Sequence, residues 1–211
     1  MRTGAVDDML MSITTPGLPP VYGEYGLWET ALALPALASL RQGLLDRPLS
    51  AAAYLEADVF ETNEVSVCLN APDRWPTAMQ FLNCRWLEHS EAELAESILK
   101  ALVAHLPILR DRYDFLDADE RERVLPLDAT PKTLRRHTRL RGITTQAVHS
   151  ATPYFGIALD CAWDEEHGLG LVLCGTEVIE IGGTDMVSSE GTAEAHYAGV
   201  LARLSAGPAA G

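Results

Sequence analysis

Phe155-Gly-Ile-Ala-Leu-Asp-Cys-Ala-Trp-Asp-Glu-Glu-His-Gly-Leu-Gly-Leu-Val-Leu-Cys174 opens as an alternating strand, breaks at a crowded polar tip and resumes as a second strand at Leu169. In Tyr154–Trp163, one face carries Phe155, Ile157, Leu159, Cys161 and Trp163. The other carries Tyr154, Gly156, Ala158, Asp160 and Ala162. A period of two is the signature of a pleated strand. After Leu169–Cys174 come Gly175-Thr176 and the strand-like Glu177–Ile181, a spacing that predicts a tight hairpin. Strands do not alternate regularly with helices, and no Gly-rich phosphate loop follows a strand. The pattern therefore predicts an α+β fold rather than α/β.

Outward from this hairpin, Ile143–His149 reads as a further strand. Thr130-Pro131 is a helix cap followed by a proline at the first helical position. It predicts a basic helix holding Leu134, His137 and Leu140 and ended by Gly142. Asp117-Ala-Asp-Glu120 caps a short acidic helix through Leu125. Ser90-Glu-Ala-Glu93 has the form of a capping box. Leu94, Ile98, Leu102 and Leu106 follow on one face, and Pro107 is expected to end that helix. Thr77–Glu88, with Met79, Leu82, Trp86 and Leu87, also has helical spacing. Val65–Leu69 and Trp28–Leu34 read as strands, and Ser50–Phe60 as either a short helix or a strand. Thr192–Leu204 predicts a last helix with Tyr197, Leu201 and Leu204 inward. The expected architecture is a mainly antiparallel sheet with a central amphipathic helix and a C-terminal β-hairpin. It divides into an irregular N-terminal segment (1–26), a single α+β domain (27–187), and a C-terminal helix with a disordered tail (188–211).

Composition narrows the function. A net charge of −14 over 211 residues excludes a generic nucleic-acid binder, which needs cationic surface to displace counterions. No apolar run reaches the length of a membrane-spanning helix. The first 20 residues lack the basic start and apolar core of a signal peptide, so a cytoplasmic protein is expected. The four cysteines (Cys68, Cys84, Cys161, Cys174) form no C-x-x-C pair and are expected to be small apolar core residues. Charge is uneven. Residues 151–211 carry nine acids against Arg203, while 126–150 carry Lys132, Arg135, Arg136, Arg139 and Arg141 against Asp128. Pairing between these two segments is the simplest use of both.

The chemistry concentrates at Asp164, Glu165, Glu166 and His167. Three carboxylates and an imidazole suit a divalent cation, or an acid and a base. Yet adjacent residues on a turn point in different directions, and the chain has no H-E-x-x-H, no EF-hand loop and no G-x-S-x-G elbow. Asp164 can accept backbone amides in an Asx-type turn, and Gly168 and Gly170 can take positive φ. Three readings stand: a structural turn, a partner-binding loop, or a metal-dependent hydrolase using Asp164, Glu166 and His167. No residue is assigned a catalytic role, and no metal or cofactor is expected. Cys174, with His167 near it in sequence, is a weaker nucleophile candidate. His105 is expected to sit in the last turn of its helix, facing the dipole.

Leu159–Leu171, followed by Glu177-Val-Ile-Glu-Ile-Gly-Gly183, resembles an uncharacterised bacterial domain family marked by W-D-x-E-H-G-L-G and a closing V-x-E-x-G. Trp28, Leu32, Leu34 and Pro35 resemble its opening strand, and Gln80 and Ala92–Leu106 its central helix, so that the likeness covers about 27–187. That family brings no catalytic residues to carry over. The resemblance implies an immunity protein that blocks a bacterial toxin; in the partner-binding reading of the polar tip, Asp164, Glu165, Glu166 and His167 are the residues that would meet it. An acidic chain suits a toxin with a basic surface.

Overall fold

In the computed structural model, which describes residues 11–24, 27–42, 63–71 and 75–205, Val67 lies opposite Ile143 in two parallel neighbouring strands. Parallel neighbours cannot be joined by a hairpin, so the chain must cross over between them. That crossover carries the helices. The strands are β1 (Met11–Ile13), β2 (Val21–Glu24), β3 (Leu27–Ala33), β4 (Glu64–Asn70), β5 (Thr138–Thr145), β6 (Tyr154–Cys161), β7 (Asp164–Cys174) and β8 (Glu177–Gly182). They lie in sequence order across one eight-stranded sheet, and every pair except β4–β5 is antiparallel. The fold is α+β, as its patterning predicts. The Ser50–Phe60 element, residues 1–10, part of the Pro72–Pro76 loop and the tail from 206 lie outside the described residues.

Before the crossover, α1 (Pro35–Ala38) and a 3-10 turn (Ser39–Gln42) follow β3. The crossover opens with α2 (Ala78–Arg112), a helix of 35 residues, roughly 52 Å long at 1.5 Å per residue. Thr77 and Gln80 form its capping box: the Gln80 amide donates to Thr77 Oγ1 (3.3 Å) and the Thr77 amide to Gln80 Oε1 (2.9 Å). This corrects the expected start at Ser90, which lies inside the helix, and the expected stop at Pro107, which the helix passes. Leu87, Leu94, Ile98, Leu102, Leu106 and Leu109 make one continuous buried stripe. Burial on both sides of Ser90 and Pro107 outweighs the local signals, although an interior proline costs about 3 kcal/mol. Pro107 itself is exposed. Glu91 is occupied elsewhere: its Oε2 accepts the amides of Ala36 (2.9 Å) and Leu37 (3.4 Å) at the start of α1.

Two short helices complete the crossover, α3 (Ala118–Val124) capped by Asp117 and α4 (Pro131–Leu134) capped by Thr130. The basic helix expected to run on to Gly142 stops at Leu134. Thr138-Arg-Leu-Arg-Gly-Ile alternates and becomes β5 instead, with Leu140 and Ile143 buried. The strand is bounded at Thr145, before the expected end at His149. The expectation of an irregular segment over 1–26 is also corrected, because β1 and β2 extend the sheet there, with Ile13 opposite Val21. Pro16, Gly17, Pro19 and Pro20 occupy only the loop between them.

One sheet face packs on α2. Trp86 of the helix stacks on Phe155 of β6, ring centroids 5.5 Å apart. Behind β6 and β7, a smaller cluster of Val148, Tyr154, Val172 and Ala193 fills the opposite face. A 3-10 turn (Thr184–Ser188) and the first turns of α5 (Gly191–Ser205) cover it. The turn approaches so closely that a Cβ on Gly156 would meet the Val187 carbonyl oxygen at 2.1 Å. β6 is therefore buried on both faces. α5 then leaves the sheet. Leu201 (45% exposed) and Leu204 (74%) are not inward as expected, while Ala193 is buried and Tyr154 bonds His196 Nδ1 (2.9 Å). Among the described residues, no helix is long and apolar enough to cross a membrane.

Candidate functional site

The chain reverses between β6 and β7 at Ala162-Trp163, so the four polar residues belong to β7 rather than to the turn. Leu159 pairs with Leu169, and Cys161 with Asp164. Glu165, Glu166, His167 and Gly168 therefore stand opposite Asp160 alone and must bulge out of the sheet. Gly168 takes φ +69 to return the chain to register, a conformation that costs glycine little.

Asp164 holds this bulge from inside. Its Oδ1 accepts the His167 amide (2.9 Å) and lies 3.1 Å from His167 Nδ1. Its Oδ2 accepts the Tyr113 hydroxyl at 2.8 Å. Tyr113 is the C-cap residue of α2, so the end of the long helix is tied to the tip of the hairpin. The Thr184 hydroxyl donates to the His167 carbonyl (2.9 Å), securing the other side. Burial pushes the Asp164 carboxyl up. The His167 amide, the Tyr113 hydroxyl and the His167 ring outweigh it and hold the group below its ordinary range. Burial and the neighbouring Asp164 carboxylate raise the Tyr113 hydroxyl.

Of the residues singled out by sequence, Asp164 is thus an internal clamp. Glu165, Glu166 and His167 are exposed, the His167 side chain by 72%. Phe115, 74% exposed, lies two residues beyond the clamp and meets the Tyr113 ring edge-on, centroids 5.8 Å apart. The structure therefore joins an acidic bulge to an exposed aromatic through one shared tyrosine. Sequence patterning missed Tyr113 and Phe115, which follow an amphipathic helix without periodicity of their own.

A hydrolase centre at Asp164, Glu166 and His167 would have to use a carboxylate whose two oxygens already accept hydrogen bonds. Among the described residues, no group of three His, Cys, Asp or Glu side chains could hold a metal ion. Cys174 lies seven residues along β7 from His167, roughly 23 Å at 3.3 Å per residue, too far for activation. The cysteines are free. Cys84 and Cys161 are buried as expected, but Cys68 and Cys174 are only partly so. Burial, with the Glu88 charge second, pushes the Cys84 thiol up to about 12. His105 lies two turns before the end of α2 rather than in its last turn. Burial, then Arg112, lowers its pKa.

The basic segment and the acidic strand do pair. Asp160 Oδ2 accepts Arg139 Nε (2.9 Å) and Nη2 (2.6 Å), and Oδ1 accepts Arg141 Nε (2.9 Å).

Residues 47–188 match the family described as "Domain of unknown function (DUF6985)". The chain belongs to this family. The DUF6985 span contains β4 through β8, α2 and the clamped tip, while β1–β3 and α5 lie outside it. The opening strand drawn from Trp28–Pro35 in the sequence resemblance is therefore not part of the match. No curated protein and no solved structure matches the chain.

The clamp makes acid sensitivity testable. A carboxyl depressed in the folded state contributes stability above its unfolded pKa, near 3.8, and loses it as pH falls through the folded value. Tyr113→Phe removes one of the groups depressing it. The variant is expected to lose stability relative to the parent at pH 7, with the difference shrinking below about pH 4. Urea midpoints measured from pH 2 to 7 check this; a difference independent of pH would remove the clamp from the account.

Proposed function

We infer that this protein is a non-enzymatic acidic binding protein, an immunity protein that neutralises a bacterial toxin by direct contact. The observation that carries this reading is the clamped tip. Asp164 and Tyr113 occupy each other, and Glu165, Glu166 and His167 stand out on a fixed frame with Phe115 adjoining. An exposed aromatic beside fixed charges is the composition of an interface anchor with a polar rim. The net charge of −14 favours a partner with a cationic surface and speeds encounter with it.

Co-expression with the products of neighbouring genes, followed by calorimetry and stopped-flow association, tests this. A complex is expected to form. The double variant Glu165→Lys/Glu166→Lys should slow association about tenfold at low salt. Phe115→Ala should weaken the complex by about 2 kcal/mol. If no neighbouring product binds, or if the charge-reversed protein associates at the parent rate, the proposal fails.

A further inference from the structure

On the sheet face turned away from α2, the β1–β2 loop and strands β2–β4 line an open groove of about 290 Å³. It is near the lower end, about 300 Å³, of small-ligand pockets. Register explains how it forms. Tyr22 lies directly opposite Glu29, and Ala33 opposite Glu64, so the two carboxylates rise from the same face with the small side chain of Ala31 between them. Pro19 and Pro20 form a wall, pinned where the Thr30 hydroxyl donates to the Pro20 carbonyl (3.2 Å). Tyr22, 47% exposed, contributes a ring.

Among the described lining residues, the hydrogen-bonding inventory of this groove leans towards acceptors, the Tyr22 hydroxyl being able to donate as well as accept. Prolines have no amide hydrogen, carboxylates only accept, and the Thr30 hydroxyl is already donating. Glu29 Oε1 accepts the Ser66 hydroxyl, leaving Oε2 as an acceptor directed by a fixed side chain. Such a groove offers apolar walls, an aromatic face and negative charge. It fits a long aliphatic stem ending in a cationic donor. Between the two natural candidates, a guanidinium suits it better than an ammonium, because its plane stacks on tyrosine and it sheds water more readily.

We propose that the groove lined by Pro19, Pro20, Tyr22 and Glu29 receives an arginine side chain of a protein partner. This deepens the function inferred above, since it rests on a basic protein partner and supplies a specific pocket for it. The pocket is built mostly from β2 and β3, outside the DUF6985 span, and so adds a second contact region to the family's own tip.

Nα-acetyl-arginine amide is the probe, titrated into the full-length chain and followed by amide-resolved NMR. Saturable shifts are expected at Tyr22, Glu29 and Ala31, with a dissociation constant on the order of 1 mM, appropriate to one side chain. The neutral isostere Nα-acetyl-citrulline amide should bind at least fivefold more weakly. Glu29→Gln and, separately, Tyr22→Leu should each weaken the arginine probe at least threefold. Both are partly solvent-facing changes, and two variants guard against one failing to fold. Linear shifts, equal binding of citrulline, or shifts centred on Glu165 and Glu166 would overturn the groove. The two proposals separate cleanly. A neighbouring protein that binds Glu29→Gln as tightly as the parent sinks the groove and leaves the partner standing. An arginine-filled groove with no basic partner does the reverse.

Discussion

Asp160→Ala is expected to lower the free energy of unfolding by about 3–5 kcal/mol, read from urea denaturation followed by circular dichroism. Asp160 is 7% exposed, and both of its oxygens are taken by arginine nitrogens. The two arginines differ. The Arg139 side chain is 14% exposed and the Arg141 side chain 45%. Removing the carboxylate leaves Arg139 charged, largely out of water and facing no counter-ion, which is the costly way to break a buried pair. Arg141 can swing into solvent, so Arg141→Ala should cost only about 0–1 kcal/mol. Asp160 is also the lone β6 residue opposite the Glu165–Gly168 bulge, so its loss should loosen the tip as well as the sheet. Replacing the pair together, as Arg139→Met with Asp160→Leu, should recover much of the loss, because no orphaned charge remains. A cost below about 1 kcal/mol for Asp160→Ala would mean that water reaches Arg139 and that the pair does little for the fold.

The sheet was legible where its signal is local. β6 and β8 show a two-residue period or a tight turn, and β3 and β4 are bounded apolar runs; each lies close to where patterning puts it, whereas β7 ends as expected but begins at Asp164 rather than Leu169. Misreadings came where a genuine local signal competes with distant burial. Ser90-x-x-Glu93 can cap a helix, but only if Ser90 is extended, and the Leu87–Leu94 stripe forbids that. Thr130 does cap a helix, yet β5 takes over within a few residues, because Leu140 pairs with Leu159 and Ile143 lies between Ile157 and, across the crossover, Val67. Nothing within Thr138–Thr145 announces those neighbours. The polar tip was visible as a cluster. What each residue does there was not, because the direction of Asp164 is decided by Tyr113, 51 positions away. The groove was invisible for the same reason: Pro19, Glu29 and Glu64 converge only through strand register.

Phe155→Ala should be comparably severe, at about 3–5 kcal/mol, because it removes an aromatic side chain from the junction of both layers. Phe155 has no solvent exposure. On one side it stacks on Trp86 at an interplanar angle of 29°, and in the sheet it lies opposite Thr145 of β5 and Leu173 of β7. The cavity cannot easily close. β6 is held by ladders on both edges, and the Val187 carbonyl lies against its far face at Gly156, so the strand has nowhere to move. Phe155→Leu, which keeps most of the volume, should cost less than half as much. Melting temperature should fall by roughly 2–4 °C per kcal/mol in a chain of this size. Trp86 supplies the control. It is only half-buried, so Trp86→Ala alone should cost less than Phe155→Ala. The double variant should cost less than the sum by about 0.5–1.5 kcal/mol, the worth of an aromatic pair beyond its buried area. Additive losses would mean that the rings do not touch in solution. A loss below about 1.5 kcal/mol for Phe155→Ala would mean more: that α2 does not sit on β6 in this register, so that the tyrosine at its end no longer reaches Asp164.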